Sequence, residues 1–120
     1  MRKIDTWTLG ALNGCAGVYQ NANTVVRVFA DRRAVVELHE NKIFYRDASG
    51  RVFFTLAGWN TQTTRARLNA LLCGYGVHVY TVSGCAYCRT VTTEQKPIEK
   101  NRWYTVDAGA VEEREIELID

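Results

Sequence analysis

Proline is nearly missing from this sequence: Pro97 stands alone in 120 residues, beside a single methionine and two histidines, His39 and His78. With 9 glycines spread through the chain, collagen-like and proline-rich low-complexity classes are excluded. No apolar run approaches the roughly 20 residues of a membrane-spanning helix, so no membrane partner is expected. Four cysteines, Cys15, Cys73, Cys85 and Cys88, are too few for a disulfide-built scaffold. The G-x-S-x-G elbow, the phosphate-binding Walker loop and the dinucleotide fingerprint are all missing. Glu94-Gln95-Lys96 matches the E-x-K fragment of some metal nucleases, but a nuclease needs further convergent carboxylates. Residues 1–90 offer Asp5, Asp31, Glu37, Glu40 and Asp47, in no metal-ligand spacing. Without an acid–base–nucleophile set, no catalytic residue and no cofactor are expected, and the chain reads as a non-enzyme.

What is present is an ordinary globular composition, 47% hydrophobic and 23% charged, in a length suited to one domain over residues 1–120. Arg2 and Lys3 precede a stretch ending in Leu12-Asn13-Gly14-Cys15, which weakly matches a lipoprotein cleavage box. Asp5, Thr6 and Thr8 interrupt it, whereas a secretory core is continuously apolar. A short amphipathic helix capped by Asp5 or Thr6 and closed by Gly14 is the better reading, with a cytoplasmic location and reduced thiols. Gly17 to Asn23 reads as a polar loop. Thr24–Phe29, Arg33–His39, Ile43–Arg46 and Val52–Leu56 then read as four strands of an antiparallel meander, separated by turn-forming pairs.

The period changes after Asn60. Leu68, Leu71, Leu72 and Tyr75 fall at i, i+3, i+4 and i+7, which predicts a central amphipathic helix over about 61–73. Asn60 or Thr61 suits its N-cap and Gly74 its end. Val77–Val82 and Cys85–Val91 follow as strands joined by Ser83-Gly84, a two-residue hairpin turn. Thr92–Asn101 reads as a loop, Arg102–Val106 as a strand, and Val111–Ile119 as strand or helix. The fold class is therefore α+β: a short N-terminal helix, a meander, one central helix, a hairpin and one or two further strands. Its core is expected to draw on Trp59, Leu68, Leu71, Leu72, Val36, Leu38, Phe54, Leu56, Val77 and Val79.

Cys85-Ala86-Tyr87-Cys88 is a C-x-x-C, and Cys85 and Cys88 would be the ligands if zinc were bound. With Ser83-Gly84 as the turn, Val82 pairs with Cys85 and Val79 with Cys88. The two thiols then point to opposite faces of the sheet, the wrong geometry for one metal ion. No metal is expected, and the βαβ context of a redox C-x-x-C is lacking.

Charge is more informative. The formal net charge of +2 divides into +7 over residues 1–105 and −5 over residues 106–120. Arginine dominates the cations, 11 against 4 lysines, and its planar fork suits phosphate and carboxylate. Arg65 and Arg67 flank the stripe of the central helix, either as solvated shoulders or as an anion site at its N-terminus. Arg32 and Arg33 sit in a turn between strands. On phosphates, these four arginines would form a nucleic-acid surface, with Tyr45 or Tyr87 stacking on bases. The acidic end carries Glu112, Glu113, Glu115, Glu117 and Asp120. It reads as a charge-guarded edge strand, as a solvated helix, or as a tail covering the basic body.

The segment Gly58-Trp59-Asn60-Thr61-Gln62-Thr63-Thr64-Arg65-Ala66-Arg67-Leu68-Asn69-Ala70-Leu71-Leu72 resembles a G-W-x-T-x-T-T-x-x-R-L-N-x-L-L pattern of small bacteriophage accessory proteins. Thr6–Leu12 and Leu38-His39-Glu40-Asn41 are similar too, so the resemblance spans residues 5–90, and residues after Glu94 have no counterpart in it. It implies a phage protein acting in the host bacterial cytoplasm and carries no assigned chemistry. The function it suggests is binding and inhibition of a host bacterial protein of defence or replication. Arg32, Arg33, Arg65 and Arg67, or Glu112, Glu113, Glu115 and Glu117, are the candidate contacts, and the nucleic-acid surface is the alternative. A zinc-stabilised form of either comes third, and the oligomeric state stays open.

Overall fold

A computed structural model describes residues 1–91, 95–107 and 109–116. Helix α1 spans Lys3–Leu12. Asp5 does not cap it: Arg2 holds the cap position with an extended backbone, and Asp5 lies buried in the first turn. The carboxylate has stronger partners there, accepting from Arg2 Nε at 3.2 Å and from the Arg67 guanidinium of the second helix.

Among the described residues, ten strands follow in two sheets. Strands β1 (Gly17–Asn21), β2 (Thr24–Val28), β3 (Ala34–Leu38), β4 (Asn41–Arg46) and β5 (Val52–Phe54) form the meander. The first of them corrects the expectation of a polar loop. Gly17 to Asn21 is an edge strand with mostly exposed side chains, held by backbone pairing from Gly17↔Val28 to Asn21↔Thr24. Such an edge needs no apolar alternation, so hydropathy does not reveal it. Strands β9 (Tyr104–Asp107) and β10 (Ala110–Glu113) add to β5 through Phe53↔Thr105, giving the order β1-β2-β3-β4-β5-β9-β10. A second sheet holds β6 (Val77–Val82), β7 (Cys85–Thr90) and β8 (Lys96–Pro97). That last strand lies inside the expected loop, Pro97 pairing at its margin with Tyr87. Proline lacks an amide donor, so a two-residue edge is where it fits.

Helix α2 spans Gln62–Leu72, and the Thr61 hydroxyl accepts from the Thr64 amide at 3.2 Å, one of the two caps read from the sequence. Its end differs from expectation. A 3₁₀ turn at Cys73–Tyr75 carries the chain past Gly74, and the stop is Gly76, at φ +70°. A Cβ at Gly76 would also lie 3.1 Å from Val91 Cγ2, so both backbone and space call for glycine.

Both helices pack on the large sheet, α1 against β2 and α2 against β4, and β6 covers α2 from the other side. One core results, joining Val26, Val36, Phe44 and Phe54 of the large sheet to Leu68, Leu71 and Leu72 of α2 and Val77, Val79 and Cys88 of the small sheet. Asn69 fastens α2 to that sheet, its amide oxygen accepting from Val79 N at 2.7 Å and its Nδ2 donating to Val79 O at 2.9 Å. Trp59 is the error in the expected core. It is 59% exposed. The tight turn Leu56-Ala57-Gly58-Trp59, closed by Trp59 N to Leu56 O at 2.9 Å, leaves Leu56 inside and carries the indole out.

Candidate functional site

The four arginines singled out from sequence have separate fates. Arg67 is buried and ion-paired with Asp5, which removes it from any surface. The apolar spacing of α2 places it beside the stripe but does not show that an acid from α1 meets it there. Arg65 is half-buried and donates to Asn60 Oδ1 at 2.5 Å, while Asn60 Nδ2 donates to Gly84 O at 3.3 Å. It therefore latches the loop before α2 to the tip of the β6–β7 hairpin. Arg33 pairs with Asp31 at 2.8 Å and lies over the Phe29 ring. The Arg33 amide, then its guanidinium, hold the exposed Asp31 carboxyl below its ordinary value. Arg32 is exposed at a left-handed backbone position and lines a cleft of about 460 Å³ with Arg46. Arg46 is itself committed, donating to Arg32 O at 2.8 Å and Leu12 O at 3.3 Å. Tyr45 is stacked on Phe53 across β4 and β5 and half-buried.

At the acidic end, β10 is an edge strand, as one of the three readings has it, though it is shorter than residues 111–119. Val111 packs inward, and Glu112, Glu113 and Glu115 are exposed. Glu113 is paired to Arg102 at 3.1 Å, and Arg102 also holds Glu99 at 2.6 Å. That pairing with Glu99, then Glu113, raises the Arg102 pKa further. Glu113 and Glu115 thus border a mixed-sign cleft with Arg102 and Arg114. Glu117 and Asp120 lie outside the described residues.

The C-x-x-C expectation is met in register: Val82 pairs with Cys85 and Val79 with Cys88, leaving Cys85 exposed and Cys88 buried. Burial pushes the Cys88 thiol up to about 11, only partly opposed by Lys96. Among the described residues, no three His, Cys, Asp or Glu side chains cluster as metal ligands.

The marker segment 58–72 gives the clearest result once each residue is assigned its task. Thr61 caps, and Thr64 is buried against it, the hydroxyls 3.0 Å apart. Arg67 pairs, Asn69 pins β6, and Leu68, Leu71 and Leu72 fill the core. Gly58 takes φ +86°, and a Cβ there would meet Asn101 Oδ1 at 3.1 Å. Trp59 alone of the large side chains in this segment has no packing task. Its indole borders an apolar cleft of about 480 Å³, opposite the other resembling segment: Leu38, His39 and Asn41 form one wall, and Trp59, Thr61 and Thr63 the other.

Both walls are built on tight turns with two left-handed residues, His39 and Glu40 (φ 49° and 68°) and Ala57 and Gly58 (φ 53° and 86°). Three of these four carry a Cβ, a conformation that costs on the order of 1 kcal/mol or more each and concentrates at ligand clamps. The His39 side is braced by its amide on Asn23 O at 2.8 Å, and its ring lies 3.2 Å from Asn23 Nδ2. Sequence marks the two segments separately; only the fold shows that they face one another.

Fold and surface together define a single-cored α+β protein with an apolar, tryptophan-bordered cleft. The chain belongs to the Kyanoviridae Gp96 protein family, whose model matches residues 1–110. It is a cyanophage family, so the chain is phage-encoded. The match reaches beyond residues 5–90 at both ends, taking in β9 and the start of β10. No curated protein and no solved structure matches the chain. Among the described residues, no helix is long and apolar enough to cross a membrane.

Proposed function

We propose that this phage protein acts by binding rather than catalysis, engaging and inhibiting a protein of the bacterial host, and that the Trp59 cleft is the contact. The observation that carries the reading is the exposed indole. A tryptophan left 59% exposed on a small domain forgoes most of its burial energy, and interfaces recover that energy by enclosing such anchors. Leu38, Ile43 and Leu56 line the cleft beside the indole and suit an apolar side chain. Thr61 and Thr63 add hydroxyls at its border, suited to backbone groups of a docked segment. Among the described residues, the shifted titratable groups support binding over catalysis, since Asp31, Asp47 and Arg102 serve turns and surface ion pairs and Cys88 and Tyr104 are core.

The test begins with tagged protein in cyanobacterial lysate, comparing wild type with Trp59→Ala. A partner identified by mass spectrometry is then purified and titrated against both proteins. One-to-one binding that weakens at least roughly tenfold in Trp59→Ala, with the thermal transition unchanged, supports the reading. Equal binding by the two proteins, or no stoichiometric partner, overturns it.

A further inference from the structure

The second sheet carries a different surface. Tyr80 lies at the centre of the outer face of β6–β7, with Tyr87 as its directly opposed residue and His78 two positions along the same strand. The three rings run in a near-parallel row: His78 to Tyr80 at 5.8 Å and 16°, Tyr80 to Tyr87 at 6.1 Å and 25°. Arg89, the residue paired with His78, brings its guanidinium carbon to 5.6 Å from the centre of the Tyr80 ring. The tyrosines are half-buried, and His78 and Arg89 are exposed. Gln95 accepts from the Tyr80 hydroxyl at 3.0 Å, which fixes the central ring in place.

We infer that this face is a stacking platform for single-stranded nucleic acid. Cross-strand aromatic pairs stabilise hairpins in their own right, and two rings would suffice for that. A row of three with an exposed guanidinium beside it provides what unpaired bases and their phosphates require, namely aromatic surface and a cation. Charge favours the same occupant. Residues 48–93, which include α2 and this whole hairpin, contain no Asp or Glu, and Arg89 stands exposed on the platform itself. Six residues per strand give a face about 20 Å long, enough for roughly two or three stacked nucleotides. Duplex bases present no free face and are excluded. The inference stands apart from the Trp59 cleft and shares no residue with it.

The test is fluorescence anisotropy with labelled oligo-dT and oligo-U of about ten nucleotides, and a duplex of equal length, at low salt. Single strands should bind and the duplex should bind at least tenfold more weakly. A preference between oligo-dT and oligo-U reflects the 2′-hydroxyl and the thymine methyl together, and binding of either one supports the platform. Tyr80→Leu keeps apolar cover on the hairpin but removes the π face, and should weaken binding by roughly tenfold. Tyr80→Phe should retain binding within about threefold, because stacking survives the loss of the hydroxyl. Arg89→Gln should lower the slope of log affinity against log salt by about 0.7, one phosphate contact on a single strand. Trp59→Ala should bind oligonucleotide as wild type does, which separates this surface from the cleft. Absence of single-strand binding at low salt, equal affinity for the duplex, or equal affinity of Tyr80→Leu and wild type would overturn the inference.

Discussion

Asp5 of α1 and Arg67 of α2, 62 positions apart in the chain, form an ion pair in which each side chain is 3% exposed. Arg2 closes one side of the carboxylate from the surface, and the Arg67 Nε has no hydrogen-bond partner among the described residues. The pair fixes how the two helices cross over the large sheet, at the cost of desolvating two charges.

Removing one member should therefore be far worse than removing both. Asp5→Ala leaves the guanidinium buried without its counter-charge and should lower unfolding free energy by about 3–5 kcal/mol. The double variant Asp5→Leu/Arg67→Met removes both charges and the orphaned Nε, and should recover most of that loss. Urea denaturation followed by circular dichroism measures both. Additive losses in the double variant would show that the two side chains contribute independently.

How much of this was legible in the sequence depended on whether a residue's partner was local. Leu68, Leu71 and Leu72 of the α2 stripe, a cap at one of Asn60 and Thr61, and the Ser83-Gly84 hairpin with its register depend on near neighbours, and the sequence shows them; Tyr75, the fourth stripe position, falls past the helix end and is exposed. Arg67 was placed on a surface because its partner lies in another helix, and periodicity cannot assign a partner. Strand β1 was missed because an exposed edge pairs through its backbone, and Trp59 was assigned to the core because hydrophobicity carries no sign of which side of a turn a residue leaves by. The candidate cleft fared worst. Its two walls were both noted, but their meeting is a property of the β3–β4 turn packing beside the start of α2.

Asn69 offers a sharper test of how α2 is fastened. Its amide satisfies both the N–H and the C=O of Val79, so Asn69→Ala leaves two backbone groups unpaired and should cost roughly 2–4 kcal/mol. Asn69→Asp should not restore it, since a carboxylate can accept from the N–H but repels the carbonyl. Thermal unfolding of the two variants checks the order, and hydrogen exchange at the Val79 amide should speed up in Asn69→Ala.

The cysteines divide by burial. Cys15, Cys73 and Cys85 are exposed and should react with a thiol reagent in the native protein, while Cys88 should react only on unfolding. Because burial holds the Cys88 proton to about 11 against an ordinary 9.0, the unfolded chain releases it first. Stability should then decline as pH rises from about 9 towards 11, by at most about 2–3 kcal/mol from this group. Cys88→Ala should abolish that share of the decline. A pH series of urea midpoints for wild type and variant reads the difference.

Asp47 makes the complementary case at low pH. Its carboxylate accepts from the Ser49 hydroxyl at 2.6 Å, the Ser49 amide at 3.0 Å and the Arg51 amide at 2.9 Å, closing the β4–β5 turn. Partial burial alone would raise its pKa, but these three donors outweigh it and hold the group below 3.8. A depressed pKa means that the stabilisation is complete above the unfolded value and disappears as pH falls through the folded one. Carboxylate-detected NMR should accordingly place the Asp47 midpoint below that of a model peptide. Asp47→Ala should cost about 1–2 kcal/mol at neutral pH from its lost hydrogen bonds, and that cost should shrink as pH falls from about 4 through the folded midpoint of wild type. A normal Asp47 midpoint, or an Asp47→Ala cost that persists undiminished at the acid end, would mean that the turn is held by its backbone rather than by this carboxylate.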